Sequence, residues 1–133
     1  MDAHVKDIVR ECTVRSDENQ ISFPEVVAKL AEAGVERYHA DLIRAEKTYY
    51  MPNGETEVTP AEAVSAAPTG QFSAAGVEAA VRAIQTQAID YTEFCNRIAA
   101  AGCVGYFVTL AGRRAVYYGR TGDEYVERFP TVA

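Results

Sequence analysis

Residues 21–58, ISFPEVVAKLAEAGVERYHADLIRAEKTYYMPNGETEV, lie without a gap over residues 89–126, IDYTEFCNRIAAAGCVGYFVTLAGRRAVYYGRTGDEYV, at a constant offset of 68. Eleven of the 38 aligned pairs are identical: Ile21/Ile89, Glu25/Glu93, Ala31/Ala99, Ala33/Ala101, Gly34/Gly102, Tyr38/Tyr106, Leu42/Leu110, Tyr49/Tyr117, Tyr50/Tyr118, Gly54/Gly122 and Val58/Val126. Phe23/Tyr91, Lys29/Arg97, Leu30/Ile98 and Glu55/Asp123 are near matches. The chain therefore reads as an internal duplication, and each copy votes independently on where helices, strands and turns fall.

Both copies open with helix start signals. Ser22-Phe23-Pro24-Glu25 and Asp90-Tyr91-Thr92-Glu93 are capping boxes, with Ser or Asp at the N-cap and Glu three residues on. Ile21 with Val26, and Ile89 with Phe94, occupy the two positions of a hydrophobic staple. Capping accounts for the repeated carboxylates Glu25 and Glu93 without acid–base chemistry. Gly34 and Gly102 end the two helices, each after an Ala-rich last turn. A further helix precedes each: Val5, Ile8, Val9 and Cys12 follow the i, i+3, i+4, i+7 pattern, and so do Val77, Ala80, Val81 and Ile84. These stripes align at an offset of 72, which predicts four extra residues in the first helix-to-helix loop, around Ser16-Asp17-Glu18-Asn19.

After each glycine the period changes. Tyr38, Ala40 and Leu42 alternate with Arg37, His39 and Asp41, and Tyr106, Val108 and Leu110 with Gly105, Phe107 and Thr109, as strands do. A turn at Ala111-Gly112 leads to a second strand near Ala115–Gly119, matched by Lys47–Met51. Tight turns at Pro52-Asn53-Gly54 and Thr121-Gly122-Asp123 precede a third. The expected fold is α+β: a duplicated helix-helix-three-strand unit whose two meanders form one sheet of about six strands, antiparallel or mixed, with the helices packed on one face. Residues 1–59 form the first copy, the Ala- and Pro-rich 60–70 a linker, and 71–133 the second copy, together a single pseudo-symmetric domain, since neither half is long enough to bury a satisfactory core alone.

Composition narrows the function classes. A net charge of −6 argues against nucleic acid, whose binding rests on clustered Lys and Arg. The N-terminus carries no basic segment followed by an apolar run, and no apolar stretch is long enough to span a bilayer, so a cytoplasmic location and no membrane partner are expected. The odd set Cys12, Cys95 and Cys103 has no CxxC spacing, which disfavours disulfides and zinc. Cys95 aligns with Val27, Cys103 with Val35, and Cys12 lies on a helix stripe, so all three read as buried, reduced thiols.

Candidate site residues come from what differs between the copies. If Tyr38 and Tyr106 face the helices, the opposite face carries Arg37, His39 and Asp41 in one copy and Phe107 and Thr109 in the other. Each tyrosine pair places one ring on either face, and Tyr49 and Tyr117 are assigned to the open one with Arg37, His39, Asp41 and Phe107. Such a face suits a small polar or aromatic ligand, or a protein. No catalytic, metal or cofactor residue is assigned, because His39 and Asp41 alone supply too few ligands for zinc.

The stretches ISFPEVVAKLAEAGVERYHADL (21–42), CVGYFVTLAGRR (103–114) and VYYGR (116–120) resemble a YbcV-like bacterial and prophage-borne domain family of uncharacterised function, some of whose members are labelled phage envelope proteins. The resemblance implies a compact cytoplasmic domain whose genes travel with phage, and carries over no functional residue. The favoured reading is a non-enzymatic module that binds a small molecule or a protein on the open sheet face or along the seam between copies. The alternative is a small enzyme with His39 and Asp41 as acid and base, and a third use of the face is a homodimer interface.

Overall fold

The computed structural model of the chain describes residues 1–129. Its elements are α1 (Ala3–Asp17), α2 (Phe23–Glu32), β1 (Arg37–Asp41), β2 (Glu46–Tyr50), β3 (Thr56–Pro60), α3 (Ala74–Gln85), α4 (Tyr91–Ala100), β4 (Cys103–Thr109), β5 (Arg114–Gly119) and β6 (Glu124–Arg128). The strands form one six-stranded sheet in the order β3-β2-β1-β4-β5-β6, every neighbouring pair antiparallel. Four helices cover one face of it, and the fold is α+β. Both halves of the chain run helix, helix, three strands, and the halves meet where β1 pairs with β4. In that pairing His39 lies opposite Phe107, the residue it also matches at an offset of 68. The irregular segment after β3 covers residues 61–73, and Pro60 ends an edge strand, where its missing N–H costs the ladder nothing. Residues 130–133, the end of the second expected copy, lie outside the described residues.

The helix ends follow their local chemistry. Ser22 accepts the Glu25 N–H while the Glu25 carboxylate accepts the Ser22 N–H, a complete capping box. At α4 only one arm forms: Asp90 accepts the Glu93 N–H, and Glu93 turns instead toward Arg97. Gly34 and Gly102 take φ values of 85° and 88°, the left-handed conformation that ends each helix.

Backbone geometry corrects the offset expected for the leading helices. The residues of positive φ fall into the pairs Asn19/Gln87, Gly34/Gly102, Ala45/Arg113 and Gly54/Gly122, each separated by 68. The buried residues Val9, Cys12 and Thr13 of α1 stand at that same offset from Val77, Ala80 and Val81 of α3. No loop insertion exists: α1 is 15 residues long and α3 is 12, and the difference lies at the N-terminal end of α1. A shift of four residues is only slightly more than one helical turn, so an apolar stripe read at 68 or at 72 stays nearly in phase.

The sheet's helix-facing side carries the core. Tyr38, Ala40, Lys47, Tyr49, Thr59, Tyr106, Val108, Ala115 and Tyr117 are all buried, and Val9, Leu30, Val77 and Ile98 pack from the helices. Under α1, the Thr13 hydroxyl bonds Tyr49 at 2.7 Å and Thr59 at 2.8 Å, so this buried polar trio is satisfied internally. Among the described residues no helix is long and apolar enough to cross a membrane.

Candidate functional site

The open sheet face gathers four of the six residues expected there. The Arg37 guanidinium lies 4.0 Å over the Tyr50 ring. The His39 ring sits 4.5 Å from Phe107, and its Nε2 shares a 2.5 Å hydrogen bond with the Tyr118 hydroxyl. Asp41 is otherwise engaged: its Oδ1 accepts the backbone N–H groups of Ile43 and Arg44 at 2.9 and 3.0 Å, fixing the β1–β2 turn. No hydrogen bond joins His39 to Asp41 among the described residues. Burial pushes the His39 pKa below its ordinary value, against the weaker opposing pull of Asp41 and Glu46, so its imidazole is neutral at neutral pH.

Tyr49 and Tyr117 are not on this face. Each lies beneath the helices, 1% and 7% exposed, and the open face carries their neighbours Tyr50 and Tyr118. Register dictates this: Tyr49 pairs with Tyr38 and Tyr117 with Tyr106, and directly opposed residues of an antiparallel pair share a face. Once Tyr38 and Tyr106 point at the helices, their partners must too.

A concavity lies on the helix side. A cavity of about 680 Å³ opens between sheet and helices, beneath the two helix-to-helix loops and the first turns of α2 and α4. Both halves line it, so it runs along their seam. Val26, Val81, Ile84 and Phe94 give it apolar walls, and Tyr38, Tyr91, Tyr106 and Tyr117 form an aromatic floor. Lys47 also reaches it, 4% exposed, with its ammonium 4.6 Å from the centre of the Tyr91 ring and 5.9 Å from that of Tyr38. Cation–π contacts of this kind offset part of the cost of dehydrating an ammonium. Burial nonetheless drives the Lys47 pKa down, outweighing the opposing influence of Cys95, Asp17 and Cys12.

Three nearly fully buried polar side chains on this lining, Tyr38, Lys47 and Tyr117, have no hydrogen-bond or ion-pair partner among the described residues. Differences between equivalent positions explain each vacancy. Tyr106 bonds the Tyr91 hydroxyl at 2.6 Å, but its equivalent Tyr38 has Phe23 in the place of Tyr91, and phenylalanine has no hydroxyl. Tyr49 bonds Thr13, but its equivalent Tyr117 has Val81 in the place of Thr13. Lys47 stands where the other half has Ala115. Among the described residues the one fully buried side-chain polar atom without a hydrogen bond is Thr109 Oγ1, so the phenol oxygens of Tyr38 and Tyr117 and the Lys47 ammonium keep access to the hollow, where they present unused donors and a cation.

Lys47 was missed in the sequence, although the seam was named there, because a lysine beside Glu46 and Thr48 reads as solvated. The signal was present: Lys47 is two residues from Tyr49 and so shares its face, and it replaces an alanine.

The thiols are poor nucleophiles. Cys12 and Cys103 are buried, Cys95 partly so, and burial pushes Cys95 and Cys103 up to about 11. Among the described residues no group of three or more His, Cys, Asp or Glu is placed to hold a metal ion.

The fold and this cavity define an α+β domain of two like halves with an aromatic, lysine-bearing hollow between its layers. Residues 64–127 match a family described as Protein of unknown function (DUF1398). The match takes in α3, α4, β4 and β5 and nearly all of β6, which is the second helix-helix-three-strand unit. No curated protein matches the chain.

Proposed function

We propose that this protein is a non-enzymatic small-molecule-binding module whose site is the seam cavity between the sheet and the helices. One observation carries the reading: a cavity of about 680 Å³ lined by Tyr38, Lys47 and Tyr117, each mostly buried and none with a hydrogen-bond or ion-pair partner among the described residues. That volume lies within the range of ligand sites, and apolar walls with a few convergent polar groups are their usual chemistry. The halves that meet here are read as copies of one ancestral unit, a reading supported by the residues of positive φ that recur at 68. Three free cysteines suit a reducing cytoplasm, and the resemblance to YbcV-like domains suits genes that travel with phage. An enzyme built on His39 and Asp41 finds less support, since Tyr118 and the β1–β2 turn take up those two side chains. The open face, with Val58 and Val126 exposed on the outer strands, supports a protein partner or a second copy as a further use.

The test is binding of the neutral dye N-phenyl-1-naphthylamine, read by its fluorescence, to the wild type, to Ala115→Phe, and to His39→Ala. Phenylalanine at 115 projects from the cavity lining into the hollow, so it should abolish the signal while the far-UV spectrum stays unchanged, and His39→Ala should bind as the wild type does. Signal retained in Ala115→Phe and lost in His39→Ala would move the site to the open face.

A further inference from the structure

The polar groups of the cavity are specific in sign as well as unused. Lys47 is the single buried charged residue among the described residues. Its electrostatic neighbours do not neutralise it. Burial raises the pKa of both Cys12 and Cys95, which keeps their thiols protonated, and the Asp17 carboxylate accepts the Glu62 N–H at 3.1 Å and makes no hydrogen bond to the lysine. The carboxylates at the cavity mouth are committed as well. Glu25 and Asp90 cap their helices, and Glu127 accepts from the Tyr125 hydroxyl at 2.6 Å and from Gln85 at 3.2 Å. An ammonium held among tyrosine rings, beside phenols that lack partners, is a receptor for one negative charge carried into an apolar space.

We infer that the cavity takes an amphipathic monocarboxylic acid, its aliphatic or aromatic body between Val26, Val81, Ile84 and Phe94 and its carboxylate against Lys47 and the Tyr38 hydroxyl. The inference rests on the cavity being the binding site and adds the ligand's chemical class. A carboxylate suits the donors present, because a charge-assisted hydrogen bond to the ammonium and a second from a phenol satisfy both oxygens. A single lysine sets the charge at one. The lowered Lys47 pKa fits the same picture, since an incoming carboxylate supplies a counter-charge in place of the hydration that burial removes.

The experiment is displacement of bound N-phenyl-1-naphthylamine by sodium decanoate and by 1-decanol at pH 7.5, on the wild type and on Lys47→Met. The two competitors share a chain and differ in head-group charge. In the wild type, decanoate should displace the dye at about tenfold lower concentration than decanol, a modest share of what a buried charge pair contributes. In Lys47→Met that advantage should vanish while decanol displaces as before. Lys47→Gln runs in parallel, so that a fold defect of the methionine variant does not decide the result, and Tyr38→Phe should narrow the decanoate advantage without affecting decanol. Equal displacement in the wild type, or a decanoate advantage that survives in both Lys47 variants, overturns the acid specificity and leaves the cavity as the site. A wild type that does not bind the dye overturns the cavity reading and this inference with it.

Discussion

Replacing Lys47 by methionine should make the empty protein more stable at neutral pH, although a side chain from the core is being changed. Taking an ammonium out of water costs several kcal/mol in a real protein. The Tyr91 ring at 4.6 Å recovers part of that, about 2 kcal/mol for a desolvated cation–π contact. With no ion pair to Lys47 among the described residues to offset the remainder, a net cost of about 2 kcal/mol stays with the folded state, and methionine, of similar length and without charge, removes it. Unfolding entropy of about 2.1 cal/mol/K per residue gives about 0.28 kcal/mol/K for 133 residues, so the variant should melt about 7 °C higher. The pH dependence fixes the cause. Burial lowers the Lys47 pKa below its ordinary 10.5 in the folded chain. Between that lowered value and 10.5 the unfolded chain still binds a proton that the folded chain has released, so the wild type gains stability as pH rises through this window. Methionine gains nothing there, and the gap between the two proteins should close as pH 10.5 is approached, other titrations cancelling in the comparison. Melting curves of both proteins from pH 7 upward are the assay. A variant that melts lower than wild type at pH 7, or a gap that does not change with pH, would refute an unpaired buried ammonium.

Two further perturbations test other parts of the fold. Alanine at Gly34 and at Gly102 imposes the same left-handed strain, about 1–2 kcal/mol, but Cβ at Gly34 meets nothing closer than Met51 Cε at 3.8 Å while Cβ at Gly102 runs into the Gln71 carbonyl. Thermal melts should therefore show Gly102→Ala at least twice as destabilising as Gly34→Ala, and equal losses would contradict the packing of the connecting segment against α4. His39, whose pKa burial lowers below 6.5, should show an NMR titration midpoint under that value; it stabilises the fold above pH 6.5 and loses that contribution as pH falls from there through its folded midpoint. A midpoint at or above 6.5 would mean that its ring is hydrated or charged by a partner.

The elements legible in the sequence were those whose signals are local. Capping residues Ser22 and Asp90, the terminating glycines and the two meanders fall where the pattern puts them, because each is decided within a few residues. What failed depended on phase. The α1 and α3 stripes fit two offsets equally well, and only backbone geometry separates them. A Tyr-Tyr pair always puts one ring on each face, so its assignment rests on the hairpin register that sets Tyr49 opposite Tyr38 and Tyr117 opposite Tyr106. Lys47 was hidden for the same reason: the pattern around it is polar, and only its parity with Tyr49 reveals that it points inward.

The pairing of β1 with β4 has a consequence for what the molecule can recognise. Two identical chains joined along that edge would be bound by their two-fold symmetry to repeat every residue, and a lysine on one side of the hollow would return on the other, two like charges facing one enclosed space. A single chain is free of that constraint. Here Lys47 stands at an offset of 68 from Ala115, Phe23 from Tyr91 and Thr13 from Val81, so two halves of the same element order enclose a lopsided interior. For the ligand proposed above, that lopsidedness would set a head and a tail, and hence one orientation where a symmetric shell would accept two.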